Sequence, residues 1–366
     1  RYTTMKPTPL LTGWTCRHLG DTAPGKPVTL PHDAMLAEPR TALSAGGTNT
    51  GWYEGYDYEY QRTLTVPENE LADTHILEFE GVYHNAEVWL NGQKAAFRPY
   101  GYTNFYVDCA PYLHVGENEL RVIARNADQP NSRWYSGAGI YRPVQLWTAK
   151  GAHITLNGVK IRTLSLQPDI VEVRVKTTAP GTVRLMVDDL PAMQQESDGE
   201  AVFTLTLDNA RLWTPETPNL YTCRVNFADD EVTETFGVRK VEWGTDGFLL
   251  NGKRYIIQGA CIHHDNGLLG AVCDPDAVAR KVRLLKANGY NAIRSAHNPC
   301  SKALLTECDR QGMLVMDEYI DHWYIHKTEH DYVDYFNDWW RQDLTDMVEK
   351  DYNHPCVVLY STGNEV

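Results

Sequence analysis

The chain has 366 residues, 42% apolar and 22% charged, a globular composition at a length where one hydrophobic core usually gives way to two or three domains. Lys and Arg number 34 against 48 Asp and Glu, a formal net charge of −14, which offers no basic footprint to nucleic acid or to an acidic membrane surface. No apolar run reaches the roughly 20 residues that cross a bilayer, so no membrane partner is expected.

Ten Trp and 21 Tyr against 8 Phe give ring faces with a polar handle, a mixture that suits sugar binding and that large antiparallel sheets also consume. The eight cysteines, at positions 16, 109, 223, 261, 273, 300, 308 and 356, show no C-x-x-C pair or closely spaced Cys/His set. Neither a zinc module nor a disulfide framework is signalled, and no metal site is assigned. Unpatterned thiols point to interior positions and a cytoplasmic setting.

Residues 1–150 are short alternating runs broken by turns, such as WYEGYDYEYQRTLTV, THILEFEG, AEVWLNGQKA and NELRVIARN. Period-two alternation rich in Thr, Val, Tyr and Trp predicts antiparallel strands, and Asn91-Gly92 predicts a two-residue hairpin. The expectation is an all-β jelly-roll domain. Residues 151–240 hold a second β series, from ITLNGVKIRTL to EVTETFGV, and about seven strands in about 90 residues is the arithmetic of an immunoglobulin-like sandwich.

From residue 241 the rhythm changes. A strand in RYIIQGA leads to a helical pattern in DPDAVARKVRLLKANG, then NAIRS, SKALLTECDRQG, MLVMDE, YFNDWWRQDLTDMVEKDYN and CVVLYS alternate as strand and helix. Such alternation implies a parallel sheet of βαβ units. Residues 241–366 are about half of the roughly 250 that a (β/α)8 TIM barrel needs, so the first half of one is expected, in the front part of a longer chain.

Functional residues of such barrels cluster where strands end. Four successive strand ends here carry His263, His264 and Asp265; Arg294, His297 and Asn298; Asp317, Glu318, Asp321 and His322; then Asn364 and Glu365. Any one of these is an ordinary hydrogen-bonded structural residue, and Asp317 and Glu318 read equally well as caps; four ends converging on one mouth do not. Phosphate-loop, dinucleotide, G-x-S-x-G and H-E-x-x-H patterns are missing, and the adjacent His263 and His264 diverge too far to share a metal. What remains is carboxylate chemistry, which acid hydrolysis of a glycosidic bond requires.

Six ordered segments carry a resemblance: LPHD (30–33), SRWYSGAGIYRPV (132–144), RLWTPETPNLY (211–221), FLLNGKRYIIQGACIHHD (248–265), NAIRSAHNPCSKALLTECDRQGMLVMDE (291–318) and NHPCVVLYSTGNEV (353–366). Through them the chain resembles family 2 of the glycoside hydrolases, nearest the β-galactosidase branch. The resemblance implies a jelly-roll sugar-binding domain, an immunoglobulin-like sandwich and a TIM barrel. It implies Glu365 as general acid/base, Asn364 on the sugar ring, His297 and His263 on substrate hydroxyls, and Arg294 supporting them. In the loop where relatives place an Asp on the sugar, this chain has Asn131, Ser132 and Arg133, and the resemblance implies Asn131 as the substrate contact there. No cofactor is required; a divalent cation beside the acid/base is allowed for, with Asp321 and His322 near the matching place.

The implied reaction is retaining and exo-acting, releasing terminal β-galactosyl residues from a β-linked oligosaccharide or glycoside. The attacking glutamate is expected beyond Val366, so these 366 residues alone are expected to be inactive and the full-length form to be a homo-oligomer. A β-glucuronidase of the same family and a non-catalytic carbohydrate-binding fragment are the alternatives.

Overall fold

The computed structural model describes residues 5–366. Strand Gly116–Ala124 shows why the first part is β: Leu120 and Val122 are buried while Glu117 and Glu119 between them and the turn are exposed. Period-two burial of this kind recurs and closes two antiparallel sheets over one core. The larger has six strands in the order Lys26–Val28, Trp14–His18, Tyr58–Val66, Gly116–Ala124, Ala86–Leu90, Gln93–Arg98; the smaller has four, Lys6–Pro9, Val144–Ala149, Thr74–Phe79, Phe105–Asp108. Trp14, Leu77, Phe79, Val88 and Leu120 fill the space between them. The predicted hairpin is present: Ala86–Leu90 and Gln93–Arg98 pair through Asn91 and Gly92, both at positive φ, 49° and 76°.

The second part is a sandwich of three strands (Ile154–Ser165, Asp169–Thr177, Glu200–Leu207) on four (Met193–Ser197, Gly181–Val187, Tyr221–Phe227, Asp230–Phe236). Val173, Val183, Leu185, Phe203 and Val225 form its core.

A small antiparallel sheet, Val241–Gly244, Gly247–Leu250 and Lys253–Arg254, then precedes four parallel strands paired in chain order: β1 (Gly259–Ile262), β2 (Ala292–Ser295), β3 (Leu314–Glu318) and β4 (Val357–Ser361). These are half the strands of a closed (β/α)8 barrel. The first begins later than RYIIQGA predicts: pairing starts only at Gly259 with Ala292, and Ile256 and Ile257 stay exposed. Helices α1 (Pro275–Ala287), α2 (Lys302–Gln311) and α3 (Val333–Asp351) cover one face. Asp274 caps α1 by accepting from the Ala277 N–H at 2.8 Å, with Pro275 at the first helical position. Ser301 caps α2 through the Leu304 N–H, and α2 ends at Gly312, whose φ of 83° and approach to the Pro215 carbonyl exclude a Cβ.

The first β unit docks on the barrel through buried polar and aromatic groups. Arg98 donates Nε to Asp343 at 3.0 Å and pairs with Asp346 at 2.7 Å. Asp343 also accepts from the Tyr319 and Tyr332 hydroxyls, 2.7 Å each. Tyr83, Tyr100, Tyr102, Tyr141, Tyr319 and Tyr332 form one buried cluster across this junction, so much of the tyrosine content serves domain packing.

Candidate active site

Glu318 ends β3 with no exposed surface. Arg294, near the end of β2, donates Nε to one carboxylate oxygen at 2.8 Å and Nη2 to the other at 3.0 Å. Ser361, ending β4, donates its hydroxyl at 2.7 Å, and His297 Nδ1 lies 2.6 Å away. Burial alone would raise the Glu318 pKa, but the bonds from His297, Ser361 and Arg294 outweigh it and hold the carboxyl below its ordinary value. Glu318 is therefore the hub of the mouth and caps no helix. Its bond occupies His297 Nδ1 and leaves Nε2 as the nitrogen that can meet a ligand hydroxyl.

Arg294 Nη2 continues to Asn364 Oδ1 at 2.7 Å, and Asn364 Nδ2 donates to Asp321 Oδ1 at 2.9 Å. The Asn364 amide is thus held between β2 and the loop after β3, in a buried position. Glu365 follows at φ 51°, a left-handed conformation rare outside glycine, with its side chain 66% exposed. Its Oε2 lies 3.4 Å from Arg133 Nη2 and 3.4 Å from Lys327 Nζ.

His263 leaves the end of β1 exposed, its ring 5.3 Å from Trp134 and 6.0 Å from His297. Partial burial and then the neighbouring His297 lower its pKa and favour the neutral imidazole. Trp134 also stands 5.6 Å from His297 and donates to the Tyr102 hydroxyl at 3.0 Å, so a ring from the first β unit braces two imidazoles of the barrel. Sequence reasoning passed over Trp134; its place inside SRWYSGAGIYR was the available signal.

His264 turns away from the mouth into the domain junction, where Nε2 meets the Ser136 carbonyl at 3.0 Å and burial lowers its pKa to about 3. Asp317 is buried and accepts from the Cys300 N–H, and the Asn298 carbonyl accepts from the Ser295 hydroxyl. Asn131 is also turned inward. Its Oδ1 accepts from the Tyr83 hydroxyl at 2.6 Å and its Nδ2 donates to Asn126 Oδ1 and the Asp128 carbonyl. With both ends of its amide engaged it holds the loop, and Arg133, two residues on, is the side chain that reaches the barrel residues.

Beside the mouth, a small cavity of about 40 Å³ lies between the first β unit and the barrel, lined among others by Tyr83, Trp134, His297, Asp321, His322 and Asp331. The residues near the place of an implied divalent cation do not fit one. Asp321 accepts from Arg133 Nε at 2.8 Å and Nη2 at 2.5 Å, from Lys327 Nζ at 3.2 Å and from Asn364. Burial would raise its pKa, yet its polar neighbours His322, Arg133 and Asn364 hold it well below the usual carboxylate range. His322 presents its nitrogens on opposite ring edges, 3.9 Å from Asp321 and 3.7 Å from Asp331. Among the described residues the one group of three with metal-ligand spacing is Asp309, His354 and Cys356, away from the mouth. That group is closed by its own bonds, His354 Nδ1 to Asp309 at 2.6 Å and the Cys356 N–H to the same carboxylate.

Comparison with known proteins agrees with this architecture part by part. The model for "Glycosyl hydrolase 2 galactose-binding domain-like" matches residues 23–144, "Glycosyl hydrolases family 2" matches 146–239, and "Glycosyl hydrolases family 2, TIM barrel domain" matches 241–366. A β-galactosidase of Bacteroides ovatus is 38% identical over 95% of this chain and 45% of its own length. A β-glucuronidase of Paenibacillus borealis is 27% identical over 84% of this chain and 58% of its own. The crystal structure of a glycosyl hydrolase family 2 member from Bacteroides cellulosilyticus superposes with a TM-score of 0.91 at 33% identity, covering 99% of this chain and 52% of that one. The chain thus spans about half the length of the proteins it matches. With all three parts matched in order and the polar strand ends gathered at one mouth, the chain belongs to family 2 of the glycoside hydrolases.

Proposed function

We propose that these residues supply the sugar-recognition and proton-donor half of a retaining, exo-acting β-glycosidase that releases terminal β-galactosyl groups, with Glu365 as general acid/base. The observation that carries the reading is one continuous hydrogen-bond network, Ser361–Glu318–Arg294–Asn364, that ends beside an exposed carboxylate at the barrel mouth. In the first step Glu365 protonates the glycosidic oxygen as the bond to the anomeric carbon breaks and a second carboxylate bonds to that carbon. In the second, Glu365 takes a proton from water, whose oxygen displaces that carboxylate and frees the sugar.

Glu318 and Asp321 share the network with Glu365, but the oxygens of both are engaged by cations and hydrogen bonds. In this reading neither attacks the sugar, the nucleophile comes from outside these residues, and the 366-residue chain alone does not turn over glycosides. The galactoside preference rests on the relative of 38% identity; the β-glucuronidase of 27% identity supports a glucuronide as the second reading. A cytoplasmic setting suits the eight free cysteines.

The test compares nitrophenyl β-galactoside and β-glucuronide hydrolysis by the native gene product carrying these residues and by its Glu365→Gln variant. The galactoside should be preferred, and the variant should lose about 10³-fold in kcat, the middle of the range that a positioned acid/base supplies. Azide, which attacks without needing deprotonation, should restore turnover. A variant within a few-fold of wild type would remove Glu365 from the mechanism.

A further inference from the structure

Two side-chain cations occupy the space between Asp321 and Glu365. Arg133, from the first β unit, sets its guanidinium edge-on to Asp321 through Nε at 2.8 Å and Nη2 at 2.5 Å, and the same Nη2 reaches Glu365 at 3.4 Å. Lys327, from the loop after β3, has a side chain only 15% exposed. Its Nζ is shared among Asp321 Oδ1 at 3.2 Å, the Asn364 carbonyl at 2.9 Å and Glu365 at 3.4 Å. Two carboxylates face two fixed positive charges, and the planar fork of Arg133 makes the arrangement directional where a lysine pair would not be.

We infer that Arg133 and Lys327 form a protein-borne cationic bridge that positions Glu365 from across the domain junction and takes the place a divalent cation would fill. The inference rests on Glu365 being the acid/base. Its physical content is that Asp321 Oδ1 is already shared by Arg133, Lys327 and Asn364 while Oδ2 accepts from Arg133, and that an arriving dication would meet two like charges already seated. Arg133 and Lys327 act through Glu365 and are positioning residues. Docking of the first β unit therefore completes the barrel's site, since the fork arrives from a loop held by Asn131 and Trp134 on its two sides.

The test has two arms. In the first, MgCl2 and MnCl2 are titrated calorimetrically into the 366-residue chain, and no saturable binding is expected. Arg133→Ala/Lys327→Ala, with its fold checked by circular dichroism, should acquire Mn²⁺ binding that Asp321→Asn then removes. Stoichiometric binding to the wild type that Asp321→Asn abolishes would overturn the inference. In the second arm, on the native gene product, chelator should leave kcat unchanged. Arg133→Ala should lower kcat about 10²-fold with little change in KM, as a misplaced catalytic group does. Guanidinium in the buffer should recover part of that loss, which a general loss of structure would not allow. Chelator-sensitive turnover, or an Arg133→Ala variant with unchanged kcat, also overturns it. Should no glycoside be hydrolysed, the Glu365 reading fails, while calorimetry still decides whether the bridge excludes a metal.

Discussion

Arg294 and Glu318 face one another from neighbouring barrel strands through two parallel hydrogen bonds, 2.8 and 3.0 Å long. The pairing fixes the guanidinium plane, and that plane delivers Nη2 to Asn364, just past the end of β4. Glu318 is fully buried and Arg294 about one-third exposed, so the contact lies between a surface ion pair and an interior one.

Replacing Glu318 with Gln keeps the shape and removes the charge. The variant should lose about 2–3 kcal/mol of stability, below the 3–5 kcal/mol typical of an uncompensated interior charge because Arg294 retains access to water. Urea unfolding measures it, and an unchanged midpoint would show that Glu318 is not the hub.

Acid should weaken the fold through His264. Its pKa is lowered to about 3 by burial, from an ordinary value of about 6.5. Below about pH 6.5 the unfolded chain takes up this proton and the folded chain does not, so stability falls as pH drops from about 6.5 toward 3. The contribution is at most about 1.4 kcal/mol per pH unit. The difference in urea midpoint between wild type and His264→Gln should shrink as pH falls through this window; a difference constant with pH would contradict a neutral buried imidazole.

LPHD ends in a staple. Asp33 Oδ1 accepts from the N–H groups of Met35 and Ala138, and Oδ2 accepts from the Tyr135 hydroxyl at 2.6 Å and the Ala271 N–H at 2.9 Å. One carboxylate thus ties the SRWYSGAGIYR loop to the loop after β1. Asp33→Ala orphans buried donors and should cost about 2–4 kcal/mol by thermal or urea unfolding. Gly137→Ala should be comparably damaging. Its φ is 70°, and an added Cβ would stand 2.5 Å from Ala271 and 2.8 Å from Asp33. Wild-type midpoints in both variants would mean that the two loops dock by other contacts.

Trp134→Ala removes the ring that braces His263 and His297. Steady-state kinetics of the native gene product should show about fivefold lower kcat/KM, mostly as a rise in KM, in keeping with about 1 kcal/mol for an aromatic contact. A pure kcat effect would place the ring in the chemical step.

Much of the site's placement is legible in the sequence. Polar residues at four strand ends identify the mouth because parallel strands all point their carboxyl ends one way. His297, Arg294 and Asn364 do meet there. Glu318 was ambiguous because an acid before a loop is as good a cap as a clamp, and only the positions of Arg294 and Ser361 distinguish them. Asn131 was expected to face the sugar, but its amide is consumed by Tyr83, Asn126 and Asp128, a matter of how one loop coils.

The sequence by itself determined most of the strand and helix content, the order of the three parts and the polar groups at four strand ends, since all of these follow from local periodicity and spacing. Tertiary structure alone decided that Arg133 and Lys327 sit between Asp321 and Glu365. Arg133 lies 188 residues from Asp321 and 232 from Glu365, and nothing in a local pattern encodes a contact at that separation. It exists only once two separately folded parts have buried their facing tyrosines and brought the loop over the mouth.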